Sequence, residues 1–156
     1  MKKLKSSKPA RPDGVLERKW GRTVIEAGWL GFPSVILQRQ KDLGLDAIDL
    51  NILFHLADHW WQPDNPPFPG KQTIADRMGV TARTVQRRIA ALESAQLIER
   101  QYRRNPDKSN KTNIYHLKGL IDAAQPYAQE AIADRKRRKE QKAQRDKTRR
   151  LRLVRK

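Results

Sequence analysis

The chain has 156 residues, with 34 Lys or Arg against 17 Asp or Glu, a net charge of +17 and no cysteine. That length allows one domain with tails, and the missing cysteine excludes a disulfide framework, a zinc finger and a thiol nucleophile. The basic opening MKKLKSSKPARPDG has no apolar segment behind it, and no stretch approaches the roughly 18 apolar residues of a membrane span, so a soluble, cytoplasmic protein is expected.

The placement of charge is more informative than its total. Residues 1–22 sum to +6 and residues 135–156 to +11, whereas the stretches 23–70, 71–118 and 119–134 sum to −4, +7 and −3. A polarised domain between two cationic arms favours a polyanionic partner and attracts it over about a Debye length. Composition divides the chain into a disordered basic arm at 1–19, a folded unit at 20–118, and a C-terminal helix with a basic tail at 119–156.

Structure is expected from Trp20 onward. The β-branched residues of TVIEAGWL predict a short strand, broken at Gly31 and Pro33 and followed by an irregular or helical segment to Gln40. In LDAIDLNILFHLADHWW, Asp46 is a cap, and Ile48, Ile52, Leu53, Leu56 and Trp60 recur at helical spacing, which predicts a largely buried helix. Four prolines in QPDNPPFPGK then enforce a loop.

A short helix, KQTIADRM, follows at or near Gly70, with Ile74, Ala75 and Met78 facing inward and Gly79 as its stop. Thr81 is the N-cap of the next helix, accepting from the amide of Arg83 or Thr84, so that a three-residue turn joins the two. On that helix Val85, Ile89 and Leu92 make the buried stripe; Arg83, Arg87, Ala90 and Ala91 lie opposite, with Thr84, Gln86 and Arg88 on the flanks. The outward side is cationic at its start and slim beyond.

After Gln96 the period changes to two. LIERQYRR and TNIYHL predict strands, with Ile98 and Tyr102 on one side of the first and Tyr115 and Leu117 on one side of the second, joined by the basic turn NPDKSNKT. The remainder is helix-prone on both sides of Pro126, with Tyr127, Ala128, Ala131 and Ile132 placed to dock. The fold class is mainly α with a small β-hairpin.

Ala75, Gly79 and Val85 stand at the 0, +4 and +10 spacing of the helix-turn-helix pattern. With the hairpin behind it, the segment resembles a winged helix-turn-helix DNA-binding domain. Its FP ahead of the second helix, TVQR in the third and the hairpin ending TNIYHL are similar to the subtype of small bacterial regulators and plasmid or phage replication proteins. The resemblance runs from Phe32 to Leu117, with Gly70 where serine is common, no glycine in Ala95-Gln96-Leu97, and Arg88 where the older pattern has an aliphatic residue.

The resemblance implies double-stranded DNA binding through a recognition helix at 82–95 and a basic wing at 103–113. A major groove about 12 Å wide admits one helix, and arginine bonds guanine O6 and N7 in a fork. Arg83 is the first candidate to read bases, then Arg87 and Gln86. Thr73, Thr81, Thr84 and Arg88 are placed nearer phosphates with Lys71, and Arg103, Arg104, Lys108 and Lys111 in the wing reach the backbone or the minor groove.

Other chemistry is set aside. His55 and His59, with Asp58 beside them, have zinc-compatible spacing but no third ligand, and Asp46, Asp49 and Asp58 read as capping or solvated carboxylates. Trp60 and Trp61 read as core. No glycine-rich phosphate loop is present, so neither an enzyme nor a cofactor is expected, nor a small-molecule ligand or a membrane partner. The expected function is sequence-specific transcription regulation in a bacterium, with a homodimer as one arrangement. Plasmid or phage replication or maintenance is the alternative, followed by nonspecific architectural or RNA binding through the arms.

Overall fold

The computed structural model describes residues 14–104 and 110–154. The element order is α1 (Val15–Trp20), α2 (Arg22–Ala27), α3 (Ser34–Gln38), α4 (Ala47–Asp58), α5 (Lys71–Met78), α6 (Ala82–Ser94), β1 (Glu99–Arg104), β2 (Asn110–His116) and α7 (Lys118–Val154). Helices packed on one another and on a two-stranded antiparallel sheet give the expected α-plus-hairpin class. Among the described residues no helix is long and apolar enough to cross a membrane.

The start of the chain departs from expectation. Residues 15–20 are helical within the arm expected to be disordered, whose first 13 residues lie outside the described residues. The segment expected as a strand is instead α2. β-Branched Thr23, Val24 and Ile25 favour a strand only where a ladder partner exists. Here the helix satisfies the backbone locally and gains an i,i+4 ion pair between Arg22 and Glu26 (2.8 Å).

α4 is the central helix. Asp46 Oδ1 accepts from the amides of Ile48 and Asp49 (2.8 and 2.9 Å), and Asp49 Oδ2 accepts in return from the Asp46 amide (3.1 Å), closing a capping box. Behind that cap Ile52, Leu53 and Leu56 are wholly buried, and removing one of them to alanine typically costs about 2–5 kcal/mol. Trp60 is half-buried against this core, but Trp61, expected inside, is exposed and donates its indole N–H to the Asp58 carbonyl (2.6 Å).

α5 buries Ile74 and Ala75, and α6 buries Val85, Ile89 and Leu92, as their spacing predicts. Between them Gly79 adopts φ 66° and ψ 33°. That left-handed conformation lets the amides of Gly79 and Val80 return to the carbonyls of Asp76 and Ala75 (3.4 and 3.0 Å) and ends α5 in one step. α6 closes in the same way without glycine: Gln96 takes φ 58°, and Gln96 and Leu97 donate to the carbonyls of Glu93 and Leu92 (2.9 and 3.0 Å).

β1 and β2 pair antiparallel, with a register shift between Gln101 and Arg103. The shift sets two residues of β2, Thr112 and Asn113, opposite the single Tyr102, a bulge in β2, and Tyr102 is exposed although Ile98, expected on the same side, is buried. β2 also receives a bond from outside the hairpin, the Tyr115 amide donating to the Pro67 carbonyl (2.9 Å). The basic turn at 105–109 lies outside the described residues.

α7 runs 37 residues through Pro126 without ending, although the proline gives up the backbone bond to residue 122. Its first turns enter the core through Leu120 and Ala124. Ile132, expected to dock, is exposed, because it lies on the side of α7 away from the one by which Arg39 stacks on Tyr127 (5.4 Å) and pairs with Glu130 (2.9 Å).

Candidate nucleic-acid interface

The exposed side of α6 begins at its cap. Thr81 Oγ1 accepts from the Thr84 amide at 3.1 Å and lies 3.0 Å from Thr84 Oγ1, so both hydroxyls are fixed at the first turn, where backbone amides and the helix dipole favour an anion. With Val85, Ile89 and Leu92 turned into the core, Arg83 and Arg87 project to solvent from the opposite side. Neither arginine makes an ion pair or hydrogen bond among the described residues. Ala90 and Ala91 continue this face with no bulk beyond a methyl group.

Three neighbouring elements extend the surface. Lys71, the first residue of α5, reaches across to donate its ammonium to Gln86 Oε1 (2.8 Å), binding the start of one helix to the flank of the next. Thr73 is exposed two residues along, and Gly70, capping α5, lies next to Thr112 of β2. Arg103 of β1 then folds onto the same threonine, donating Nε to its carbonyl (2.7 Å) and Nη2 to its hydroxyl (3.0 Å), with its guanidinium over the Phe68 ring (5.0 Å). The structure thus brings Arg83, Gln86 and Arg87, then Lys71, then the base of the hairpin onto one continuous polar surface.

Some predicted residues are placed differently. Arg88, expected near phosphates, points back toward α4: its Nη2 lies 2.7 Å from Asp46 Oδ2 and its Nη1 3.8 Å from Asp49 Oδ1. Carboxylates already fixed by the α4 capping box take the guanidinium that a phosphate contact would need. Arg103 is likewise held against Phe68 and Thr112 and does not extend from the wing. Arg104 and Lys111 are exposed near the hairpin end, and Lys108 lies outside the described residues.

The carboxylates behind α6 differ in electrostatic setting. The Asp49 amide, with the nearby Arg88 guanidinium, holds the Asp46 carboxyl below the usual carboxylate range. Asp49, read as a capping or solvated position, does complete the cap but is buried, and burial pushes its carboxyl upward. Position alone could not show this, since Asp49 follows Ile48 on the periphery of the predicted stripe.

Phe68 and Thr112 were not singled out by periodicity, although together they anchor Arg103. Both belong to segments whose sequence reads as loop or turn, and only the packing of the Pro67 strand-like segment on β2 joins them. The two histidines of α4 do not converge on a metal site: His59 Nδ1 lies 2.8 Å from the His55 carbonyl of its own helix. No group of three or more metal-ligating side chains is present among the described residues.

Residues 43–98 match the family model described as a helix-turn-helix domain. No curated protein matches the chain. Among solved structures, the N-terminal domain of DnaD protein from Geobacillus kaustophilus HTA426 is similar over 76% of this chain and 96% of its own, at 21% identity and a TM-score of 0.53. The transcriptional regulator PA3341 aligns over 78% of this chain and 79% of its own, at 24% identity and a TM-score of 0.41. Residues 43–98 extend from the approach to α4 to the end of the α6 turn, and β1 and β2 follow as the wing. Residues 43–98 are thus similar to a helix-turn-helix domain, and the hairpin that follows them gives the chain the fold of helices with a wing.

Proposed function

We propose that this winged helix-turn-helix protein binds double-stranded DNA sequence-specifically, without catalysis or a cofactor, and regulates transcription in a bacterium. The observation that carries the reading is the freedom of Arg83 and Arg87. They leave the capped first turns of α6 on the side opposite its buried stripe, unpaired among the described residues. Unpaired guanidiniums at that end of a groove-sized helix suit the bidentate bonds that guanine accepts.

The remaining residues divide by reach. Gln86, beside the two arginines, is a further base reader once Lys71 releases it, and Lys71 then turns to a phosphate. Thr73, Thr81 and Thr84 contact phosphates at helix N-termini, and Arg104 and Lys111 form the cationic end of the wing. Arg88 and Arg103 position these groups from behind.

Selection from random duplexes at about 150 mM salt, where nonspecific attraction is already reduced, tests the reading. An enriched motif is expected, and a two-fold symmetric one indicates a homodimer. Recovery of unenriched sequence would contradict base reading. A role in plasmid or phage replication or maintenance uses the same contact, and the motif's location within a replication origin, not upstream of a gene, identifies it.

A further inference from the structure

The distal half of α7 is unlike the rest of the molecule. The helix has 37 residues, or about 55 Å at 1.5 Å per residue, yet its ties to the body end at Tyr127, Glu130 and Asp134. Every residue from 135 to 148 is exposed, and none is apolar except Ala143. A helix without an apolar stripe has nothing to bury against a protein partner or a membrane.

Its cations are not spread evenly. At 100° per residue, Arg135, Arg138, Lys139, Lys142 and Arg145 fall within an arc of about 120°, whereas Glu140 falls outside it and Asp146 within it. Arg137 lies elsewhere on the helix and pairs with Asp134, the one ion pair in this half among the described residues. Within the arc, the pairs 135/138, 135/139, 138/142, 139/142 and 142/145 set like charges three or four residues apart, which opposes helix formation. A solvated helix gains nothing from such an arrangement, but a polyanion lying along it removes the repulsion at every pair.

We propose that residues 135–145 form a second nucleic-acid contact, a cationic stripe that runs along the phosphate backbone of a duplex and reads no bases. It is separate from the α6 surface: α7 starts beside the C-terminal end of α6, where Leu120 donates to the Leu97 carbonyl (2.7 Å), and its last contacts with the body are with Arg39, not with the Thr81 cap. Duplex binding orders the stripe as well as neutralising it, since the cost of its like-charge neighbours falls when counterions give way to phosphates.

The test compares the full chain with a variant carrying Arg135→Gln, Arg138→Gln, Lys139→Gln, Lys142→Gln and Arg145→Gln. All five positions are exposed, and glutamine keeps helix propensity. The probe is a random-sequence 24-base-pair duplex titrated between about 50 and 200 mM salt, with amide exchange followed across residues 135–148. The expected result is a salt slope reduced by roughly 4, from about 0.9 per phosphate lost, together with duplex-induced amide protection in the parent chain alone. An unchanged slope overturns the proposal, as does protection that is absent from the parent. Arg83→Ala in the same titration keeps the two readings apart: loss of base preference with the slope retained concerns α6, and the reverse concerns α7.

Discussion

Arg88 Nη2 of α6 lies 2.7 Å from Asp46 Oδ2, the side chain that caps α4. The contact joins α6 to the most buried helix of the domain at the point where α4 begins. A cation adjacent in sequence to Arg87 is thereby withdrawn from the exposed surface, and its role is to fix the tilt of α6 on α4.

Replacing Arg88 with alanine is expected to destabilise the fold by about 1 kcal/mol, the upper range for a partly exposed ion pair. The loss includes leaving the buried Asp49 carboxylate without its nearest cation. Denaturant unfolding checks the magnitude. The salt dependence of duplex binding, measured well below the melting transition, is expected to stay as in the parent, because the Arg88 guanidinium is held by Asp46 and Asp49.

Gln96 holds φ 58° at the exit from α6, a conformation that costs a side-chain-bearing residue roughly 1 kcal/mol or more. Gln96→Gly is therefore expected to raise stability by up to about 1 kcal/mol, reduced by the added freedom of the unfolded chain. Gly119→Ala is expected to do the opposite and more strongly, because a Cβ there runs into the Gln96 carbonyl. Thermal melts of the two variants, read in parallel, check both signs.

His55 supplies a pH dependence. Burial, followed by the charge of Arg77, lowers its pKa from the ordinary 6.5, against the opposing pull of Asp58. The folded state then takes up the proton less readily than the unfolded chain, so this contribution to stability is complete above about pH 6.5 and is lost as the pH falls through the lowered value. Asp46, whose carboxyl is also lowered, acts in the same direction only in the acid carboxylate range, and Asp49, raised by burial, acts with the opposite sign. Unfolding free energy measured from pH 7 to 5.5 is expected to decline in the parent chain and to decline less in His55→Gln.

Much of this architecture was legible in the sequence because its determinants are local. Gly79 needs only its own φ to end α5, Thr81 needs only the amide of Thr84 to start α6, and the Val85, Ile89 and Leu92 stripe follows from helical geometry. What was not legible depends on partners distant in the chain. The segment from Thr23 to Ile25 has strand composition but no strand to pair with. The bulge of β2 opposite Tyr102 exists only in the register between the two strands. Arg88 looked free beside Arg83 and Arg87 because its carboxylates lie some forty residues earlier, on another helix. Arg103 is drawn inward by Phe68 and Thr112 for the same kind of reason.

The central claim is that the first turns of α6 read base edges, and the most direct measurement is the affinity of Arg83→Ala for the selected duplex and for its single-base-pair variants. The account predicts a loss of about 1–3 kcal/mol on the preferred site with discrimination relaxed at one base pair, while binding to random sequence changes far less. Equal affinity of the parent chain and Arg83→Ala for every duplex, with discrimination intact, would contradict it.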